Sequence, residues 1–166
     1  MTSLFHTHAD LITDRLVLRP WTTAEAAGVL AGDRSARWAD DFPTEGDLVV
    51  AGLFGEFPGW LGEFGHRVIV ERDSGLTVGS LGLFWPPAEG ALEIGYGVVA
   101  SRRGRGYASE AARALAEFGL AAPEVRTVFA NVELSNPASV RVLEKAGFRR
   151  AADDGELARF EMTREK

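Results

Sequence analysis

The segment Arg103-Gly104-Arg105-Gly106-Tyr107-Ala108 holds the residue types that binding a phosphate group requires. Glycine lets the main chain come close to a ligand. The first N–H groups of a helix have no partner inside it, and its aligned peptide dipoles add about half a positive charge at that end. Two guanidinium groups, Arg103 and Arg105, add charge and paired donors. Together these features make a cradle for phosphate or pyrophosphate. A P-loop would carry Lys and Ser/Thr after its last glycine, where Tyr107 and Ala108 stand here. A dinucleotide-binding G-x-G-x-x-G would carry glycine in place of Ser109 and lie near the N-terminal strand. The plain alternative for the loop taken alone is a tight surface turn with two solvated arginines.

A cradle of this kind needs a strand before it and a helix after it. The apolar run Leu92 to Val99 predicts the strand, and the alanine-rich amphipathic run Ala108 to Leu120 predicts the helix. Gly95 and Gly97 inside the strand point to a bulge or to close approach of another backbone. Upstream, Leu11 to Arg19 alternates as a first strand stopped by Pro20. Thr22 or Thr23 caps a short helix, Ala24 to Leu30, that ends at Gly32. Residues 33–61 read as short helices and loops. Val68–Val70 and Thr77–Phe84 form a hairpin around Asp73-Ser74-Gly75. Downstream come a strand, Val125 to Val132, a helix from Ala138 to Ala146 begun by Pro137 and closed by Gly147, and final strands at Phe148 and Leu157 to Met162. This order gives a mixed α/β sheet in a single domain over residues 1–166, with residues 1–10 flexible.

A second segment narrows the ligand. Ser135-Asn136-Pro137-Ala138-Ser139 leads into Leu143-Glu144-Lys145-Ala146-Gly147-Phe148, downstream of the glycine loop. With the Arg103–Ala108 loop, which fits a Q/R-x-x-G-x-G/A pattern, these motifs resemble the GNAT superfamily of acyl-CoA-dependent N-acetyltransferases. Thr13 to Arg19, Glu93-Ile94-Gly95-Tyr96 and Tyr107 to Ala111 look like the branch of the ribosomal-protein N-terminal acetyltransferases (RimJ/RimL type). The resemblance covers residues 11–162. It implies a GNAT fold of the α/β class: a central, mostly antiparallel sheet, splayed between the fourth and fifth strands and flanked by helices. It also implies acetyl-CoA as the donor. The pyrophosphate would meet Arg103, Gly104, Arg105, Gly106, Tyr107 and Ala108, and the pantetheine arm would pair with the backbone of Val98 and Val99. Asn136 would contact the cofactor, and its plain role as a helix cap is compatible with that.

The implied reaction is direct transfer of an acetyl group to a primary amine, of a small molecule or of a protein N-terminus. The amine must first lose a proton, since such groups have pKa values of about 8 to 10. Glu93 stands where relatives carry an acidic residue near the amine; a base acting through a water chain, or a salt-bridged Glu93, are the alternatives. Many members place a donor tyrosine immediately before the E-K-x-G-F run, where this chain has Leu143. In the RimJ/RimL branch the second serine of S-N-x-x-S takes the role of assisting the leaving sulfur, and Ser139 holds that position. Asn136 and Ser139, three apart, share a helix face. Alternation puts Glu93 with Gly95 and Gly97, and turns Tyr96 the other way, toward core or cofactor. Trp38, Asp40 and Asp41 are candidates for holding a cationic acceptor, because the region between the first two strands shapes that pocket in the family. The leucine in place of the tyrosine also admits a noncatalytic acyl-CoA-binding module.

Composition agrees with this reading. A net charge of −6 and a pI near 5.1 disfavour nucleic acid and suit a cationic partner. The chain has no Cys, hence no disulfide, thiolate metal site or cysteine nucleophile. His6, His8 and His66 do not make a metal site, and His66 reads as structural. The absence of a signal-like N-terminus and of any apolar run of about 18 residues leads to a cytoplasmic expectation without membrane contact. This branch often dimerises, so the resemblance admits a homodimer, and the sequence alone does not choose between monomer and dimer.

Overall fold

The computed structural model describes residues 10–164; the flexible stretch expected over residues 1–10, with His6 and His8, lies almost wholly outside the described residues. Among the described residues the chain runs β1 Leu11–Ile12, β2 Leu16–Pro20, α1 Thr23–Ala31, α2 Glu45–Leu53, β3 His66–Glu71, β4 Thr77–Leu83, β5 Ala91–Val98, α3 Tyr107–Leu120, β6 Thr127–Glu133, α4 Pro137–Lys145, β7 Arg149–Asp153 and β8 Leu157–Thr163. Two 3-10 turns, Pro58–Leu61 and Ala100–Arg102, punctuate it. The strands form one eight-stranded sheet in the order β1-β2-β3-β4-β5-β6-β8-β7. Every neighbouring pair is antiparallel except β5–β6.

One expectation needs correction. Leu11 to Arg19 is not a single strand but a hairpin, with Leu11 opposite Leu18 and Ile12 opposite Val17. The break comes from Thr13, whose N–H donates to the Leu16 carbonyl at 2.9 Å and whose hydroxyl accepts the Leu16 N–H at 3.1 Å. A short polar side chain that bonds its own backbone favours a turn over a continued ladder.

The helices start where their caps are. Thr22 and Glu25 form a reciprocal capping box on α1, and Gly32 closes that helix at φ 78°. Thr44 and Asp47 do the same for α2. Each such cap contributes about 1 kcal/mol. α3 buries Ala111, Ala112, Leu115 and Ala116 completely. Its small side chains let it lie close to β4 and β5: a Cβ on Gly119 would stand 3.1 Å from the Leu83 side chain. Burying Leu115 alone contributes about 1.5–3 kcal/mol. α3 and α4 cover one face of the sheet, while α1 and α2 pack on the other around Trp21, Phe54 and His66.

The sheet's two parts meet at β5 and β6. These strands pair only at Ala91–Thr127, Leu92–Val128 and Glu93–Phe129. Beyond that rung β5 continues to Val98 and β6 to Glu133 with no pairing between them. The expected splay is therefore present. It falls between the fifth and sixth strands because the N-terminal hairpin adds one to the count.

Candidate active site

The mouth of the V holds the glycine loop. Gly104 and Gly106 have φ near 80°, a left-handed conformation that strains other residues. Gly106 is the N-cap of α3 and supplies no side-chain acceptor, so the first-turn N–H groups keep their donors for a ligand. The loop is braced from beneath. The Glu71 carboxylate, at the end of β3 and only 6 % exposed, accepts from Ser74 Oγ at 2.6 Å, Tyr107 Oη at 2.7 Å, Arg102 Nε at 3.1 Å and Arg105 at 3.5 Å. Arg15 donates to the Arg105 carbonyl at 2.6 Å and pairs with Glu110 of α3 at 2.8 Å. Its guanidinium lies 4.9 Å above the Tyr107 ring.

Burial pushes the Glu71 carboxyl up, but its hydrogen bonds from Ser74, Tyr107 and Arg102 and the Arg102 charge outweigh that and hold it below the usual range. Glu110 follows the same pattern: burial raises it, and Thr13 and Arg15 bring it lower. The hydrogen bond to Glu71 raises the Tyr107 phenol. Tyr107 is buried, so only its main chain faces the mouth. The Arg103 guanidinium folds back to the Val98 carbonyl, with Nε at 3.1 Å.

Strand alternation decides which peptide groups face the gap. Phe84 N–H donates to Glu93 O, and Val99 N–H donates to Val78 O at 2.8 Å. In the β4–β5 register these bonds turn the peptide groups of Ile94, Tyr96 and Val98 away from β4, toward β6. Val99, expected to pair with a pantetheine arm, has its N–H on Val78 and its carbonyl on Arg102 N–H. The open edge is the peptide group of Tyr96 and the N–H of Val98, whose carbonyl accepts from Arg103 Nε.

α4 closes the same region from one face. Asn136 caps it, its side-chain oxygen accepting the Ser139 N–H at 3.2 Å. Ser139 Oγ lies 2.6 Å from Tyr96 Oη. Leu143, one turn further on, is fully buried in the core. Burial raises the Tyr96 phenol more than the Ser139 hydrogen bond lowers it.

Glu93 points to the opposite face. It lines a groove of about 740 Å³ with Phe84, Arg126, Phe129, Arg159 and Glu161. Arg159 pairs with Glu161 at 2.7 Å and stacks 3.8 Å over Phe129. Among the described residues the side chains of Glu93 and Arg126 have no hydrogen-bond or ion-pair partner. A second pocket, about 180 Å³, adjoins this groove at Phe84 and is bounded by Asp47, His66, Ser80, Gly95 and Gly97. Asp47 is buried and accepts hydrogen bonds from the Ser80 and Thr44 hydroxyls. His66 is buried against Phe54, Trp60 and Phe84. Burial brings its imidazole down to about 4, so it is neutral at pH 7.

Trp38, Asp40 and Asp41, expected at the acceptor, line neither cavity. Trp38 bridges to Thr77 and packs on Phe42. Asp41 accepts the N–H and hydroxyl of Ser101 at 2.9 and 2.8 Å, and so caps the turn that leads into the glycine loop. Asp40 is exposed, and its carbonyl accepts from Arg34. Glu71, Arg15, Glu110 and Arg126 were not marked by sequence; no local pattern separates them from solvated charges.

A sheet splayed beside an uncapped, glycine-led helix is the architecture that the GNAT resemblance implied. The Acetyltransferase (GNAT) domain family matches residues 15–149, and the chain belongs to that family. It is 37% identical over 86 residues to the uncharacterized N-acetyltransferase YjdG of Bacillus subtilis, covering 51% of each chain. The chain thus spans about half the length of the curated relatives it matches. Two solved structures share the fold. RimL, a ribosomal L7/L12 alpha-N-protein acetyltransferase in complex with coenzyme A, has a TM-score of 0.69 at 16% identity, covering 93% of this chain and 98% of that one. A mutant form of the spermidine/spermine N-acetyltransferase SpeG from Vibrio cholerae has a TM-score of 0.61 at 15% identity, with 91% and 95% covered. Among the described residues no helix is long and apolar enough to cross a membrane, and no cluster of His, Asp and Glu could hold a metal.

Proposed function

We propose that this protein is an acetyl-CoA-dependent N-acetyltransferase acting on a primary amine, of a small molecule or of a protein N-terminus. The open V carries the reading: unspent peptide edges on β5 run to an uncapped α3 N-terminus behind two left-handed glycines. That shape fits an elongated ligand with amides in its arm and a pyrophosphate at its end. When bound, acetyl-CoA supplies the acyl group activated as a thioester. The N–H groups from Gly104 to Ala108 hold the pyrophosphate, with Arg103 and Arg105 at its flanks. The peptide group of Tyr96 and the Val98 N–H hold the arm like an added strand. Asn136 keeps its side-chain amide N–H groups for the cofactor while its oxygen caps α4.

Glu93 and Ser139 sit on opposite faces of the sheet at the closed end of the V. An amine in the groove meets Glu93, which accepts its proton directly or through water. Ser139 offers a hydrogen bond to the departing sulfur from the far side. One group to take the amine proton and another to assist the leaving sulfur suit direct transfer by addition to the carbonyl and loss of the thiolate, and no enzyme nucleophile is needed, in keeping with the absence of Cys.

Thiol release from acetyl-CoA, measured against a panel of spermidine, free amino acids and short peptides, tests the reading. Turnover of one amine class is expected, together with a rise in Tm on adding acetyl-CoA but not ATP or NAD. A raised Tm without turnover of any amine would favour a noncatalytic acyl-CoA-binding module, the reading that Leu143 in the core keeps open.

A further inference from the structure

Tyr96 lies three residues past the last rung that joins β5 to β6, on the splayed stretch of its strand. Its ring leaves the sheet on the face opposite Glu93 and reaches the first turn of α4. There its hydroxyl lies 2.6 Å from Ser139 Oγ and 3.4 Å from the Ser139 carbonyl. Among the described residues Ser139 Oγ has no other side-chain or backbone partner. The Tyr96 O–H thus has two acceptors on one residue, the near Ser139 Oγ and the farther Ser139 carbonyl, and the question is which hydroxyl donates across the 2.6 Å contact; the phenol is the stronger acid of the two.

We infer that Tyr96 is a positioning residue: its hydroxyl donates to Ser139 Oγ, and so commits the Ser139 proton to whatever sulfur occupies the V. This rests on the acetyl-CoA reading above. The direction of the chain follows from chemistry. A serine that accepts from a phenol has its own O–H free, and that O–H is polarised by the bond it accepts. The opposite order would spend the serine proton on the phenol and leave a lone pair facing a developing thiolate. Burial favours the neutral phenol, so Tyr96 remains a donor through the range in which a thiol of pKa about 8.5 ionises. No proton need cross the chain; the thiolate is stabilised by hydrogen bonding as the carbon–sulfur bond breaks, and the amine proton leaves on the Glu93 side.

The absence of cysteine provides a direct test. In the complex with CoA the cofactor thiol is the only thiol present, so the pH dependence of its alkylation by iodoacetamide reports its pKa and nothing else. The bound thiol is expected about one unit below free CoA. Ser139→Ala should return it to the free value. Tyr96→Phe, which keeps the ring, should lose most of the shift, and the double variant should match Ser139→Ala alone. With an amine that the wild type turns over, Tyr96→Phe should lower kcat about tenfold at unchanged KM for acetyl-CoA, and cost nothing further in the Ser139→Ala background. A bound-thiol pKa unmoved by Tyr96→Phe, or an equal loss with and without Ser139, would overturn the inference and reduce the contact to packing. Failure of CoA to bind at all would instead overturn the acetyl-CoA reading itself.

Discussion

The two ends of the V are built differently. At the cradle, one buried carboxylate, Glu71, gathers four donors from three segments, and Arg15 ties the N-terminal hairpin to both the loop and α3. At the proposed acceptor side, Glu93 and Arg126 stand in an open groove with no partner among the described residues. A site for a large invariant ligand can be rigid before binding, and rigidity lowers the entropy that binding must overcome. A site for the variable partner keeps its charges uncommitted, so that the partner completes them. The same sheet thus carries a finished half and an unfinished half, and the division falls at the rung where β5 and β6 part.

Perturbations at either end should separate these halves. The largest effect is expected from Gly106→Asp. Aspartate tolerates the left-handed conformation better than most residues and caps helices well, so the fold should persist. Its Cβ would stand 3.2 Å from Arg15 Nη2, and the carboxylate would take first-turn N–H groups and repel the pyrophosphate, costing several kcal/mol, on the order of a thousandfold in acetyl-CoA affinity by calorimetry. Unchanged affinity would remove the cradle assignment.

Next is the floor of the acceptor-side pocket. The folded His66 value of about 4 lies below the unfolded 6.5, so the unfolded chain binds the extra proton between them. Stability should therefore fall as pH drops from 6.5 to 4, by about 3 kcal/mol in all. His66→Gln should flatten that limb in a chemical denaturation series, even if it lowers the plateau. A wild-type protein equally stable at pH 4.5 and 7 would contradict it.

Glu93→Gln should lower kcat by about a hundredfold and leave acetyl-CoA affinity intact. An unaltered pH–rate profile would point to a water relay in place of the carboxylate. The smallest effect belongs to the brace. Glu71→Gln should weaken acetyl-CoA binding about tenfold while kcat at saturation holds. Because the Glu71 carboxyl is held below its ordinary 4.5, the stability that it contributes is present above that pH and is lost as the pH falls through the lowered value. The variant should lack that acid-side loss. If Glu71→Gln changed kcat and not affinity, the contrast between the two ends would be mistaken.

How much of this was legible in the sequence follows range. The glycine loop, α3, and α4 with its Asn136 cap are written in short spans, where glycine, proline and hydrophobic period act on neighbours. The GNAT resemblance added the splay because its motifs are equally local. What escaped is set by partners far apart in the chain: Glu71 with Tyr107, Arg15 with Glu110, Tyr96 with Ser139. The bond between Asp41 and Ser101, sixty residues apart, is of the same kind. The Thr13 turn escaped for a different reason: alternation across Leu11 to Arg19 suits one strand as well as two, and a single hydroxyl decided between them.

Three rungs join the halves of the sheet, and α3 and α4 span the seam on one side only. Such a plate is stiff along its strands and compliant across the seam, like a board scored part of the way through. A molecule seated in the score would act as a splint as well as a reagent. Each turnover would begin and end with a change in the stiffness of the enzyme, and the lifetime of the folded chain would follow the supply of the molecule that fills it.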